Sequence, residues 1–497
     1  MSWHSELAVA LDPQADHQPL FQQIATGVAG AICSGRLGPG DRLPGSRTLA
    51  ESLDVHRNTV IAAFEELRSQ GWISGQRGRG TFVSPALPLV TPRRFAGERN
   101  AVPAKLGFSL APHRPAPPPI VWPPAPGMLS MAAGVPDLRL APATELARAY
   151  RRALQRSSHS VLDYGDAAGH PRLREELAAM LNALRGLGAG ADDVFVTRGS
   201  QMGLYLVARS IATPGAVVAV EALGYSPAWE AFRAAGARLV PIPVDRNGMQ
   251  VDRLRTLTER EPVRAVYLTP HHHYPTTAVL SADRRLSLLE LARRHRMAIV
   301  EDDYDNEVHY RGRPILPLAS ADDAGVVIYI GTLSKILAPG LRVGYVVAPR
   351  PLLERMAGVR RAIDRQGDPA IERAVAELLE EGSVQRHARR MRRVYRSRRD
   401  ALAVSLRSRL AGAIDFDLPA GGMAIWVRVA REIDVDAWAI RAREIGVDFH
   451  PARTFAFDRR SRPFARLGYA ALNEGELDGA VTRMAASLDP SGSRARP

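Results

Sequence analysis

Apolar residues recur at helical spacing near the start of the chain: Leu20, Phe21, Ile24, Val28 and Ile32 fall on one face, and Gly35 offers a stop. The segment 37–73 then reads as a turn, a short helix, a tight turn from Asp54 to His56, a second helix and the start of a strand. In that second helix Val60, Phe64 and Leu67 repeat at the interval that turns them inward. Residues 72–83, WISGQRGRGTFV, place apolar ends around a glycine and arginine turn, the pattern of a β-hairpin. Three helices and a hairpin make a winged helix-turn-helix, assigned to residues 1–84.

From 85 to 127 the periodicity disappears. The stretch is crowded with proline, including PAPPPIVWPPAP at 115–126, and reads as a semi-rigid extended linker. Beyond it β-rich apolar runs alternate with helical stretches: VFVT from 194, VVAVE from 217, AVYLT from 265, MAIVE from 297, VVIYI from 326 and VGYVVA from 343. Strands that are apolar on both faces and separated by helices predict an α/β domain, 128–490, with a mostly parallel sheet covered on both sides. Helices and shorter strands after about 365 predict a smaller α/β lobe. In such folds ligands sit beyond the carboxyl ends of the strands.

With 497 residues and 46% hydrophobic side chains, the chain is long enough for two or three domains. No run approaches the roughly 18 consecutive apolar residues of a membrane span. Glu6, Asp12 and Asp16 stand where a secretory signal would be apolar, so a cytoplasmic protein with no membrane partner is expected. The single cysteine, Cys33, excludes an internal disulfide and reads as a packed residue on a helix face. A net charge of +14 favours polyanions, yet residues 19–84 hold only seven arginines against five acids. The densest basic run, QRHARRMRRVYRSRR at 385–399, reads as a solvated helix rather than as a second DNA patch.

One bias changes the picture. Of the 66 basic residues 64 are arginine, and the lysines are Lys105 and Lys335. A guanidinium stays protonated and cannot act as a Schiff-base amine, so a lysine kept in such a chain points to chemistry. Lys105 falls in the linker, which leaves Lys335 as the candidate.

In a helix-turn-helix the first residues of the second helix meet base edges, here Arg57, Asn58 and Thr59. Arginine pairs with guanine, asparagine with adenine, and threonine with a phosphate or a thymine methyl. Arg47 is placed for a phosphate or a base, and Arg77, Arg79 and Gly80 lie at the wing tip. The stretch from Pro39 to Val60, followed by GRGTFV at 78–83, resembles the GntR-type winged helix. It departs in Gly45 for a common serine, in Asp54 for glycine, and in His56 for the serine that caps the recognition helix. The resemblance implies double-stranded operator DNA as a partner.

Lys335 stands in GTLSKILAPGLRVGY, 331–345, directly after a strand, so its amine is expected in the cleft, where an internal aldimine would suit it. Thr332 and Arg342 are spaced to hold a phosphate, and the glycine turn GSQMG, 199–203, presents backbone amides to the same anion. In EDDYDNEVHYRGRPILPL, 301–318, a carboxylate at a strand end can pair with a protonated pyridine nitrogen, and a tyrosine two residues on with a ring hydroxyl.

Residues 128–490 resemble the fold-type I aminotransferases, and the two modules in this order resemble the MocR-type branch of the GntR regulators. The resemblance implies pyridoxal 5'-phosphate, with Lys335 as its Schiff-base lysine, Asp302 at the pyridine nitrogen and Tyr304 at the ring hydroxyl. It implies Tyr225 stacked on the ring, Ser200, Gln201, Thr332 and Arg342 around the phosphate, and Tyr164 reaching the phosphate from a partner subunit. Arg466 resembles the arginine that receives an amino-acid carboxylate. One segment departs: HHHYPTT, 271–277, stands where enzymes of this fold have Asn-Pro-Thr-Gly and the regulators His-Gln-aromatic-Pro-x-Gly. Tyr274 follows the regulators, whereas His273 and Thr277 depart even from that branch, which weighs against efficient transamination. Consecutive histidines at a strand end point in different directions, so no metal is expected there. The function implied is a homodimeric transcriptional regulator that senses pyridoxal phosphate, an amino compound or both through an internal or external aldimine at Lys335. The competing implication is a working aminotransferase with an appended DNA-binding module.

Overall fold

The computed structural model describes residues 19–76, 79–85, 125–131, 134–156, 158–310 and 315–488, with residues 11, 87, 108–110 and 312 beside them. Most of the segment assigned as a linker, Lys105 in it, and Arg77 of the wing lie outside the described residues. The chain divides into two compact units between residues 118 and 119.

The first unit contains helices Leu20–Cys33, Ser46–Leu53 and Arg57–Ser69 and the antiparallel hairpin of Ile73–Gln76 with Gly80–Val83. Ile24, Val28, Leu49, Val60, Phe64, Leu67 and Val83 share one buried core, so the inward stripe read from the sequence is the packed one. Gly35, at φ 74°, follows the first helix in a conformation that glycine adopts without strain. Cys33 is a correction. It is exposed, because one more residue of about 100° beyond Ile32 carries the side chain off the buried stripe.

The second unit is built on a seven-stranded sheet in the order Val194–Thr197, Gly344–Val347, Val327–Thr332, Ala298–Asp303, Val263–Leu268, Val217–Glu221, Arg238–Ile242. Gly344–Val347 runs antiparallel to both neighbours, and the other pairings are parallel. Six of these strands follow the apolar runs in the sequence. The seventh, Arg238–Ile242, forms the edge, where a half-exposed pattern and Pro241 are tolerated because one side needs no partner.

The smaller lobe is a four-stranded sheet of Ile414–Asp415, Ala424–Val429, Phe464–Gly468 and His450–Pro451. Leu129–Ser130 pairs in parallel with Val447–Asp448, and Met131 joins the same core, so the start of this unit is stitched into the lobe. Helix Pro369–Glu380 instead packs Ala374, Val375 and Leu378 against Leu173, Leu177 and Leu181 of the large domain. The lobe therefore begins along helix Ser383–Arg409 rather than near 365.

That helix carries the arginine run, and only one side of it is solvated. Arg398 is buried, with Nη2 2.9 Å from Asp137 Oδ2 and Nη1 donating to Ala470 O at 2.6 Å. Arg399 is buried as well, donating to Pro419 O at 2.7 Å and lying 4.7 Å over the Tyr310 ring. The helical period brings both to the side of Met391 and Tyr395.

Candidate cofactor site and DNA-reading face

Three strand ends bring the cofactor candidates together. Lys335 follows Val327–Thr332 by one short turn and donates from Nζ to Gly134 O at 2.6 Å. Burial holds its amine below the ordinary lysine value, against the opposing pull of the Asp305 and Asp302 carboxylates. Asp302 is buried on the neighbouring strand, where Oδ2 accepts from the Tyr267 hydroxyl at 2.8 Å and Oδ1 has no hydrogen-bond partner among the described residues. Burial pushes this carboxyl up to about 7. A buried carboxylate with one oxygen unspent suits a cationic ring nitrogen. Glu301, one residue earlier, is used differently: its two oxygens accept from Leu318 N at 2.8 Å and Ala319 N at 3.0 Å.

The phosphate candidates meet where helix Gly199–Ile211 begins. Gly199 has φ +73°, and a Cβ there would lie 2.7 Å from Arg342 Nη2. A Cβ on Gly344 would lie 2.5 Å from Gly199 C and 2.7 Å from Ser200 N. These close approaches require glycine and leave the first amides of the helix beside the guanidinium. Arg342 itself donates to Arg198 O at 3.1 Å. Thr332 Oγ1 donates to Val343 O at 3.2 Å and accepts from Ser334 N at 3.1 Å. The Gln201 side chain points elsewhere, donating to Pro227 O at 2.8 Å, so this residue offers the cradle only its backbone. Ser334, which the sequence reading passed over, has a buried hydroxyl with no partner among the described residues. With its glycine turn, guanidinium and unspent hydroxyl, the cradle fits a phosphate.

Tyr225 precedes helix Ser226–Ala234 and meets Tyr274 edge-on, with ring centroids 5.5 Å apart. Tyr304 donates to His272 O at 3.1 Å and also lies edge-on to Tyr274, at 6.0 Å. Arg466 is buried on Phe464–Gly468, its guanidinium 4.6 Å over the Tyr274 ring and Nη1 donating to Pro275 O. Nε and Nη2 of Arg466 have no hydrogen-bond partner among the described residues, which leaves a two-pronged donor suited to a carboxylate.

The three histidines diverge. His272 Nδ1 lies 2.9 Å from Asp305 Oδ1, His273 contacts Thr276 Oγ1 at 2.7 Å and Leu223 O at 3.0 Å, and His271 Nδ1 is buried with no partner among the described residues. Burial pushes His271 down to about 4 and His273 down to about 3, so both are neutral at pH 7. Among the described residues no group of three or more His, Cys, Asp or Glu side chains is placed to hold a metal ion. Thr277 has φ 63°, the left-handed region, at the position where the resembled motifs carry glycine. The substitution keeps the backbone path at the cost of strain in a β-branched residue. Thr277→Gly is therefore expected to stabilise the chain by about 1 kcal/mol or less, after the added entropy of glycine, and to raise the urea midpoint. A lower midpoint would contradict this.

Tyr164 is 73% exposed under the Arg365 guanidinium, so its own chain does not bring it to the site. Several site-shaping residues escaped the sequence reading. Tyr267 and Asp305 are two, and fully buried Arg185 is a third, bonding Glu307 and donating to Tyr345 Oη at 2.6 Å behind the 302–307 segment. Tyr267 had a signal: a hydroxyl in the middle of a strand apolar on both faces.

On the first unit Arg47, Arg57 and Asn58 are exposed and Thr59 is half-buried. Arg57 Nε donates to Ser46 Oγ at 3.3 Å, which fixes the recognition helix beside the one carrying Arg47. Asp54 takes the left-handed conformation, φ 53°, one that aspartate tolerates in place of glycine. His56 replaces the capping serine in kind, its Nδ1 accepting from Asn58 N at 3.2 Å. Arg79 and Gly80 are exposed on the wing, and Arg42 joins them, its guanidinium 3.2 Å from where a Gly80 Cβ would stand.

Two family profiles match the chain: bacterial regulatory proteins of the gntR family over residues 20–83, and aminotransferase class I and II over 126–484. The probable rhizopine catabolism regulatory protein MocR of Rhizobium meliloti is 33% identical, the match covering 94% of this chain and 92% of that protein. The HTH-type pyridoxine biosynthesis transcriptional regulator PdxR of Corynebacterium glutamicum is 31% identical, over 81% and 82%. Among solved structures LysN, an α-aminoadipate aminotransferase from Thermus thermophilus complexed with N-(5'-phosphopyridoxyl)-L-leucine, matches with a TM-score of 0.68 at 31% identity. That match covers 73% of this chain and 92% of LysN. The regulator matches thus span 94% and 81% of this chain, and the enzyme match 73%, about the length of the second unit.

Proposed function

The chain belongs to the MocR-type branch of the GntR regulators, which join a DNA-binding winged helix to an aminotransferase class I and II domain with pyridoxal phosphate as cofactor, and on that premise we propose that the second unit senses an amino compound, the cofactor or both and changes DNA binding by the first. The observation that carries this reading is a set of buried polar atoms without a partner among the described residues, Asp302 Oδ1 and Arg466 Nε and Nη2, in a chain that also holds a DNA reader. When bound, the cofactor supplies an aldehyde that condenses with amines and a ring that withdraws electrons. Lys335, its amine made less basic by burial, is the nucleophile held by Gly134 O. Asp302 retains a proton at the ring nitrogen, and Tyr304 and Tyr225 line the ring. The Gly199 turn, Ser200, Thr332 and Arg342 hold the phosphate. Arg466 takes the carboxylate of an amino acid.

Tyr164, exposed on its own chain, serves the site of a second subunit, so the working form is a homodimer that meets paired half-sites. Arg57, Asn58 and Thr59 read base edges, Arg47 meets a phosphate or a base, and Arg77, Arg79 and Gly80 contact the minor groove or the backbone from the wing. An effector acts only as far as it binds one arrangement of the DNA heads better than another.

Arg466→Ala is expected to weaken amino-carboxylate effectors by about ten- to a hundredfold, the worth of a charge-assisted fork, with cofactor affinity unchanged. Titration of the visible spectrum with amino acids checks this. Equal responses in parent and variant would remove Arg466 from effector recognition. A second reading, an active aminotransferase, is favoured by the complete set of Lys335, Asp302 and Arg466. Steady turnover of an amino donor with a 2-oxo acid, lost in Lys335→Ala, would establish it.

A further inference from the structure

Tyr164 stands in the loop 163–170, which joins helix Ser158–Leu162 to helix Pro171–Arg185. It is 73% exposed, so packing against its own chain's core does not fix it. The loop is nevertheless clamped by side chains from one stretch, residues 360–372, where helix Arg350–Arg361 ends and helix Pro369–Glu380 begins. Arg360 is fully buried, and its Nη1 donates to Ala167 O at 2.9 Å and to Val196 O at 2.6 Å, which ties the loop to the sheet. Glu372, buried as well, accepts from His170 N at 2.6 Å. Room for that carboxylate depends on Gly367, since a Cβ there would collide with Glu372 Oε1. These contacts fix the half of the loop that follows Tyr164.

The other contacts surround Tyr164 itself. Gln366 Oε1 accepts from Gly165 N at 2.6 Å, and Nε2 reaches Asp163 O at 3.5 Å, so one amide brackets both residues that flank the tyrosine. The Arg365 guanidinium lies 4.1 Å over the Tyr164 ring. Arg365 holds φ 65°, in the left-handed region, with its N donating to Arg360 O at 3.1 Å. That conformation costs a residue with a Cβ, and such strain persists only where its surroundings over-determine it. Ordering an exposed side chain adds nothing to the chain's own core. It lowers the entropy cost of a contact made outside the chain.

We propose that Gln366 and Arg365 are positioning residues for Tyr164, setting its backbone and ring in advance for the phosphate held in a second subunit's site. This rests on the reading of Tyr164 as a residue that serves a partner. The test uses full-length protein and pyridoxal phosphate, read by the visible absorbance of the lysine-bound form. In the homodimer Gln366→Met, similar in length but without the amide, is expected to lower cofactor affinity about tenfold, and Tyr164→Phe by a similar factor. Combined, they should lower it no further than either alone, because Gln366 acts through the tyrosine hydroxyl. A glutamine that merely supported the fold would give additive losses.

Hybrid dimers locate the effect. Lys335→Ala in one chain leaves a single lysine to capture the cofactor, in the other. Gln366→Met on the Lys335→Ala chain is expected to carry the loss, and on the chain that keeps Lys335 to behave as the unsubstituted hybrid. Arg365→Met, at an exposed position, should follow the same rule with a smaller loss, roughly two- to fivefold. Losses that follow the lysine-bearing chain, or that add to those of Tyr164→Phe, overturn the proposal. So does a Gln366→Met homodimer that binds as the parent while Tyr164→Phe is weakened. Failure of the underlying reading is seen separately, as parent affinity in Tyr164→Phe or as a cofactor-loaded protein that sediments as a single chain, and the proposal falls with it.

Discussion

Lys335→Ala is expected to abolish covalent capture of pyridoxal phosphate, with loss of the visible absorbance of the lysine-bound form and a fall in cofactor affinity on the order of a thousandfold, about 4 kcal/mol. On the proposed roles, Asp302, Arg342 and the Gly199 turn would still hold the ring and the phosphate, so binding is expected to become weak and reversible rather than absent. Lys335→Arg should fail in the same way, because a protonated guanidinium supplies no nucleophilic nitrogen. Retention of the band in Lys335→Ala would contradict the assignment, and Lys105 would then be the one lysine left to carry it.

Arg57→Ala is expected to remove operator binding and leave the cofactor spectrum untouched. A bidentate contact to guanine contributes about 1–3 kcal/mol per half-site, so a two-fold protein loses about 2–6 kcal/mol, at least about thirtyfold in affinity. The helix should survive the change, since Val60, Phe64 and Leu67 anchor it and His56 caps it without help from Arg57. Gel-shift titration at fixed salt checks both halves of the expectation. Unchanged affinity would mean that the first turn of this helix does not face base edges.

What was legible in the sequence was what repeats locally. The stripe Ile24, Val28 and Ile32 and the strands from 194 to 343 follow from periodicity, and Lys335 stands out because arginine occupies nearly every other cationic position. What was not legible depends on partners remote in sequence. Tyr267 and Asp302 sit on adjacent strands 35 positions apart, and Arg398 finds Asp137 across 261. A run of arginines cannot announce which members turn inward until the helix has a core to face. The departures from the GntR pattern at Asp54 and His56 are accommodated locally: the first adopts the left-handed turn and the second supplies its own capping nitrogen. The edge strand Arg238–Ile242 was missed because edges lack the two-sided apolar pattern that marks interior strands.

The most direct test of the central claim is titration of the protein onto DNA from its own upstream region at fixed salt, with and without pyridoxal phosphate and a panel of amino acids, while the visible spectrum of the cofactor is recorded. The account predicts that the cofactor, or one amino compound that also alters the spectrum, changes DNA affinity in the parent and not in Lys335→Ala. Spectral changes that leave DNA affinity constant throughout would contradict it, and would leave the second unit an enzyme that merely shares a chain with a DNA-binding head.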